Sequence, residues 1–224
     1  MTQILTTVAI VLLALFIVER RWPSVIARFE EGVLAILMAA ITLVSFSQVV
    51  MRYGFSSGWG GALEFTRILF AWLILFGMSY AVRINAHLGV DAFIHLLPKR
   101  AFRAVAVFGA FACVLYAVIL LYSNWLQFFG ANARGGAFDY WSKMFKVGIG
   151  LDDLRYPEWA QETFGLQERV QRWIAYLILP IGLGLFGYRC VQAVIDILRG
   201  KRRLIIASHE AEELVAENKH LLKD

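Results

Sequence analysis

From Ala62 to Pro98 the chain reads ALEFTRILFAWLILFGMSYAVRINAHLGVDAFIHLLP, and its centre, Ile68 to Val82, is an uninterrupted charge-free apolar run. Glu64 and Arg67 precede the run, and Arg83, His87, Asp91 and His95 follow it at intervals of four. As a helix, this spacing sets Arg67 about 24 Å and Glu64 about 29 Å from Arg83 along the axis. The hydrocarbon layer of a bilayer is about 30 Å thick. The charges therefore mark the two ends of one membrane helix, each able to snorkel into a headgroup layer.

Composition agrees with a membrane setting. Hydrophobic residues make up 59% of the chain and charged residues 17%, with a mean hydropathy of +0.63. A soluble domain would be about half apolar. The net charge of +5 does not point to nucleic acid, because the basic residues flank apolar runs and read as topology signals. Cys113 and Cys190 both lie within apolar segments, which argues against a stabilising disulfide or a Cys-rich zinc site.

The fold this predicts is an all-α integral membrane helical bundle, with four core transmembrane helices plus an N-terminal fifth and interfacial helices. Residues 1–21 form the N-terminal hydrophobic helix. Its apolar run, Ile4–Val18, lacks a basic leader and ends at Glu19, Arg20 and Arg21 rather than at a small-residue cleavage site. Residues 22–123 hold the core helices. A short amphipathic link around Trp22–Glu31 leads to a span over Val33–Met51, a Gly-rich turn over Gly54–Gly61, the central helix, an interfacial helix near 86–97, and a span over Ala104–Tyr122. Gly109, Cys113 and Ala117 lie four apart on that span, a small-residue stripe against which another helix could pack.

Residues 124–172 form a long external loop, rich enough in aromatics to resist disorder and expected to build short surface helices. Residues 173–199 are the last span, kinked by Pro180, and residues 200–224 a charged tail. Basic residues cluster after the first segment, after the central helix and in the tail, so those sides face the cytoplasm.

His87, Asp91 and His95 share a helical face and could ligate zinc in part. No further Cys, His or Glu cluster supplies the remaining ligands, so a polar interfacial stripe is the better reading. Glu64 and Arg67, at i and i+3, read equally as a helix-end ion pair or as a contact point for a partner subunit. Arg189 either snorkels or pairs with an acidic group that the sequence does not identify. No nucleophile and base fall together as a hydrolase needs. The bundle lacks the repeats and midplane charges of a stand-alone transporter, and looks built to attach to something.

The runs QVVMRYGF (Gln48–Phe55), Glu64 with Arg67, FAWLILFGMSYAVRINAHLGVD (Phe70–Asp91) and Leu97-Pro98 resemble the small membrane subunit of tripartite ATP-independent periplasmic (TRAP) transporters. The likeness covers about Phe29 to Arg103 and extends into RWIAYLILPIGLGLFGYR (Arg172–Arg189). DLRYPEWAQ (Asp153–Gln161) looks like the C4-dicarboxylate subgroup. The N-terminal run and the long external loop depart from the usual pattern. The resemblance implies a bacterial inner-membrane, multi-pass protein with a cytoplasmic C-terminus and no enzymatic activity. It would bind and stabilise the scaffold of a large membrane subunit and help dock a periplasmic substrate-binding protein.

It also implies that no cofactor sits on this chain, sodium belonging to the large subunit, and that the partners are those two proteins and the lipid bilayer, with no nucleic acid. Candidate interface or membrane-surface positions are Gln48, Arg52, Glu64, Arg67, Arg83, His87 and Asp91. Trp141, Tyr156 and Trp159 are candidates for the periplasmic contact loop. The alternative is a free-standing membrane scaffold or an unrecognised membrane enzyme.

Overall fold

The computed structural model describes Glu19, residues 21–84 and residues 98–199. The Ile4–Val18 run, the interfacial helix at 86–97 with His87, Asp91 and His95, and the tail at 200–224 lie outside the described residues. Within them the protein is helical apart from one small hairpin, and four helices are long and apolar enough to cross a membrane. We refer to the end of the bundle carrying Arg83, Arg103 and Arg199 as the basic end and to the opposite one as the loop end.

Helix α1 runs from Pro23 to Gly54, 32 residues. The link expected over Trp22–Glu31 is no separate element, and the helix continues through it. Pro23 starts the helix at a position where its missing N–H costs nothing and its fixed φ fits. Gly32 is the one helix-weakening residue before Gly54, and the helix runs through it without a break. Helix α2, Ala62–Arg83, matches the expected central span. It begins after Gly61, whose φ of +85° is left-handed and whose Cβ, if present, would sit 2.6 Å from the Asp153 carbonyl oxygen. Only glycine fits there. Helix α3 covers Lys99–Leu121 and starts after Pro98.

Beyond α3 a 3-10 helix, Asn124–Phe129, leads through an irregular stretch to α4, Ala137–Val147. The return is tied by hydrogen bonds: the Ser123 N–H donates to the Gly135 carbonyl over 2.7 Å, and the Gly135 N–H donates to Asn124 Oδ1 over 2.7 Å. Strands β1 (Gly150–Arg155) and β2 (Arg169–Gln171) then pair antiparallel with an irregular register, bracketing α5 (Glu158–Phe164). The 124–172 segment contains short helices and also a hairpin that helical reasoning did not anticipate. Its aromatics explain the order. Phe145 stacks on Trp141 at 5.7 Å and meets Trp173 edge-on at 5.4 Å, while Tyr140 meets Tyr176 at 5.1 Å.

The last span consists of α6 (Arg172–Tyr176) and α7 (Ile178–Leu198). Leu177 between them keeps helical dihedrals, so the span continues through an irregular turn. The irregularity falls one helical turn before Pro180, whose ring crowds the carbonyl four residues earlier and cannot donate to it.

Helix α7, rather than α2, is the element the others surround. It buries nine residues against three in α2, and both α2 and α3 pack along it. Its glycines allow this close approach. A Cβ on Gly182 would lie 2.6 Å from Leu75 Cβ, and one on Gly187 would lie 3.2 Å from Ala117 Cβ. The core joins Val82, Ala106, Ala110, Ala117, Phe186, Cys190, Ala193 and Ile197. The small-residue stripe of α3 is thus Ala106, Ala110, Cys113 and Ala117. Gly109 sits one position off it, exposed, with open space around its Cα. Helix α1 packs on α2 from outside.

Candidate functional site

Two polar clusters stand out against this apolar bundle, one at each end. At the loop end, the Glu64 carboxylate in the first turn of α2 accepts hydrogen bonds from the backbone N–H groups of Asp153 and Leu154, at 2.8 and 2.9 Å, both through Oε2. Gly61 lies against the same stretch of β1. The hairpin is thereby latched to the N-terminus of α2. An open cavity of about 770 Å³ adjoins the latch, lined by Trp59, Gly61, Asp153, Arg155 and Tyr156 among others.

Of the two readings of Glu64 and Arg67, the helix-end ion pair does not form. Glu64 spends its acceptor on the hairpin backbone, which sequence spacing cannot reveal because the donors are roughly ninety residues away. Arg67 remains exposed and has no ion-pair partner among the described residues. Gln48 is half-buried on α1, and Arg52 is exposed in its last turn. Tyr156 is half-buried, with its N–H donating to the Glu168 carbonyl and its own carbonyl accepting from Gln161. Trp159 is 66% exposed. Trp141 is half-buried, and its indole N–H is enclosed without a partner among the described residues.

The second cluster lies toward the basic end, and sequence reasoning singled out its two arginines, Arg83 and Arg189, but not the carboxylates that join them. Glu30 of α1 is 7% exposed and Arg189 of α7 is 4% exposed. Glu30 Oε1 accepts from Arg189 Nη2 at 2.8 Å, and Glu30 Oε2 lies 2.8 Å from Arg83 Nη1 of α2. One carboxylate therefore joins two guanidiniums from two other helices. Glu31 sits 3.7 Å from Arg83 Nη2 and accepts from the Tyr80 hydroxyl.

On the far side of Arg189, Glu19 pairs with Nη1. Glu19 also accepts from the Tyr188 hydroxyl at 3.0 Å and from Gln192 Nε2 at 2.8 Å. Arg83 and Arg189 each lie over a tyrosine ring, Tyr80 at 5.2 Å and Tyr188 at 5.6 Å. The acidic partner that Arg189 lacked in the sequence is thus a pair, Glu19 and Glu30.

A readable signal existed for one of them. Glu30, Leu37 and Ile41, the buried residues of α1, recur at helical spacing, so a carboxylate in an otherwise apolar stripe announced a buried counter-charge. The charge pattern explains why Arg189 is tolerated within a span. An isolated buried guanidinium is strongly unfavourable, whereas one held by two carboxylates and a polar fringe is compensated.

Among the described residues no group of three or more His, Cys, Asp and Glu side chains could hold a metal ion. The polar groups of both clusters bond to each other, to backbone or to aromatic faces, which is the chemistry of holding helices in place. The arrangement defines a multi-pass helical membrane protein whose charged side chains tie its elements together.

Sequence comparison places it more narrowly. Residues 41–200, more than half of the chain, match the family of tripartite ATP-independent periplasmic transporters, DctQ component, and the chain belongs to that family. It is 32% identical over 213 residues to a C4-dicarboxylate TRAP transporter small permease protein of Vibrio cholerae, covering 89% of this chain and 86% of that one. It is 30% identical over 221 residues to the protein of the same description in Pseudomonas aeruginosa, covering 87% and 94%. A putative TRAP transporter small permease protein of Haemophilus influenzae is 40% identical over 91 residues, 41% of this chain and 54% of that one. These relatives are transporter subunits, not enzymes.

Proposed function

We propose that this chain is the small permease subunit of a TRAP transporter that takes up C4-dicarboxylates across a bacterial inner membrane. The match to the DctQ component over residues 41–200, with relatives of that description aligned over most of their length, carries the reading. In this scheme the small subunit binds the immobile scaffold of the large membrane subunit, and the large subunit moves the acid and couples it to a sodium gradient. No cofactor is assigned to this chain. The apolar outer faces of α1 and α3, with Phe46 and Phe108 exposed by 66% and 72%, face the large subunit or lipid.

At the loop end, taken as periplasmic, the hairpin and its flanking helices present Trp159 and Tyr156 toward the soluble substrate-binding protein, while Trp141 supports them from α4. Gln48, Arg52 and Arg67 lie toward the same end, and the exposed guanidinium of Arg67, which has no ion-pair partner among the described residues, is placed to meet a partner carboxylate. His87 and Asp91 are assigned to the cytoplasmic surface with the C-terminus.

The test is affinity capture of the tagged chain from membranes that co-express the large subunit, followed by reconstitution with the binding protein and measurement of sodium-driven succinate uptake. The reading expects capture at a constant ratio and uptake that requires all three proteins. Arg67→Ala is expected to lower capture or uptake several-fold with insertion intact. Capture of this chain alone, in folded form, favours a free-standing scaffold or enzyme instead.

A further inference from the structure

Helix α1 is attached by little packing for its length. Of its 32 residues, Glu30, Leu37 and Ile41 are buried, and its broad contact among the described elements is with α2. At Gly77 of α2 that contact has room for a methyl group: the nearest side-chain atom to an added Cβ is Leu34 Cδ2, 3.9 Å away. In lipid, apolar contact between helices has no hydrophobic driving force behind it, because the lipid tails are equally apolar. A helix held this way slides or rolls at small cost.

Glu30 supplies what packing does not. Its two oxygens reach guanidiniums on different helices, Arg83 of α2 and Arg189 of α7, each at 2.8 Å. Two fixed points restrict both translation along the bundle and rotation about the helix axis. Moving α1 by one turn, about 5.4 Å, would withdraw the carboxylate from both guanidiniums and leave unpaired charge in a low-dielectric setting.

We propose that Glu30 is a positioning residue that sets α1 against the α2–α7 pair, and that it thereby selects the apolar stripe of α1 offered to the large membrane subunit. The second half rests on the subunit reading given above. The stripe is Phe29, Ile36, Leu43 and Val50, exposed by 63%, 69%, 66% and 40%. Phe29 and Ile36 lie one residue step, about 100°, round the helix from Glu30 and Leu37, and Leu43 and Val50 lie further round on the same side, so a roll of about that size changes the face presented.

The experiment uses the full chain, with Cys113 and Cys190 replaced by alanine and spin labels attached through Val25→Cys on α1 and Leu198→Cys on α7, both exposed positions. The distance between the labels is measured on the chain alone, and capture of the co-expressed large subunit is measured in parallel. Glu30→Gln is expected to shift or broaden the distance by about one helical turn, on the order of 5 Å, and to lower capture about tenfold. Glu30→Asp keeps the charge and is expected to preserve most of both.

Leu37→Ala removes packing but no charge and is expected to leave the distance near its parent value. The pair Glu30→Gln with Arg83→Gln leaves no excess buried charge, so it reads the same displacement even where the single change fails to insert. The proposal is overturned by an unmoved distance in both Glu30→Gln chains, by a Leu37→Ala displacement as large as theirs, or by displacement with full capture. A parent chain that captures no large subunit sinks the subunit reading and with it the second half of the proposal. The distances still decide the first half.

Discussion

Glu64 shows how a residue can be recognised from its neighbours in sequence while its partner stays hidden. Its position three before Arg67 announces a polar helix start, and α2 does begin at Ala62. The bond it makes is instead to the backbone of β1, at Asp153 and Leu154. A carboxylate accepting two backbone N–H groups is a charge-assisted contact, stronger than an exposed ion pair on one helix. Glu64→Ala is expected to cost about 1–2 kcal/mol locally. Amide hydrogen exchange should then rise across Gly150–Arg155 while the membrane helices keep their protection. Unchanged exchange in that peptide would show that the hairpin is held by its own pairing and by the α4 aromatics. Arg189 is the complementary case. Its demand for a counter-charge was legible from its place within a span, but the answer required knowing that α1 begins at Pro23, which brings Glu30 onto the buried stripe.

At the scale of the element, the four spans were readable because long apolar runs bounded by charges have few alternatives in a chain of this hydropathy. What was not readable was their rank. The central run of α2 is conspicuous in sequence, yet α7 is the enclosed helix, and its mark is small residues instead of large apolar ones. The three glycines of α7 make a graded test. An alanine at Gly182 would place its Cβ 2.6 Å from Leu75 Cβ, one at Gly187 3.2 Å from Ala117 Cβ, and one at Gly184 would meet nothing within 4 Å. Gly182→Ala is therefore expected to destabilise the bundle by about 1–3 kcal/mol through forced separation of α2 and α7. Gly187→Ala should cost less, and Gly184→Ala should be neutral or slightly stabilising, since alanine favours the helix. Thermal unfolding midpoints in a single detergent check the order. Equal midpoints for Gly182→Ala and Gly184→Ala would mean that α2 and α7 are not in close contact there. The off-register reading of the α3 stripe has the same origin: spacing alone identifies a set of small residues, and only the partner helix decides which of two adjacent stripes is used.

For the whole molecule, both polar clusters follow from one asymmetry. At the loop end the connecting segments are long enough to fold on themselves, and Glu64 and Gly61 fasten them to α2. At the basic end, Arg83, Arg103 and Arg199 gather near the helix termini, and Arg103 donates to the last carbonyls of α7, Ile197 and Leu198. The turn over Arg52–Gly61 carries a single basic residue, and the 123–172 segment balances its six basic residues with six acidic ones, so the uncompensated basic charge is concentrated at the other end. Short-loop arginine and lysine bias orients membrane proteins with that end in the cytoplasm. The expected topology therefore places the hairpin outside and Leu198 inside. With Cys113 and Cys190 replaced by alanine, Trp159→Cys should react with a membrane-impermeant maleimide in cells with a permeabilised outer membrane. Leu198→Cys should react only after the inner membrane is opened. Both positions are exposed on the chain, by 66% and 57%, and labelling of each after full solubilisation in detergent separates sidedness from burial. Labelling of Leu198→Cys before the inner membrane is opened would invert the bundle. The hairpin could then no longer face a periplasmic binding protein, and Arg67 would lie on the wrong side to meet it. The same pair of accessibilities thus bears on orientation and on every partner assignment made at the loop end.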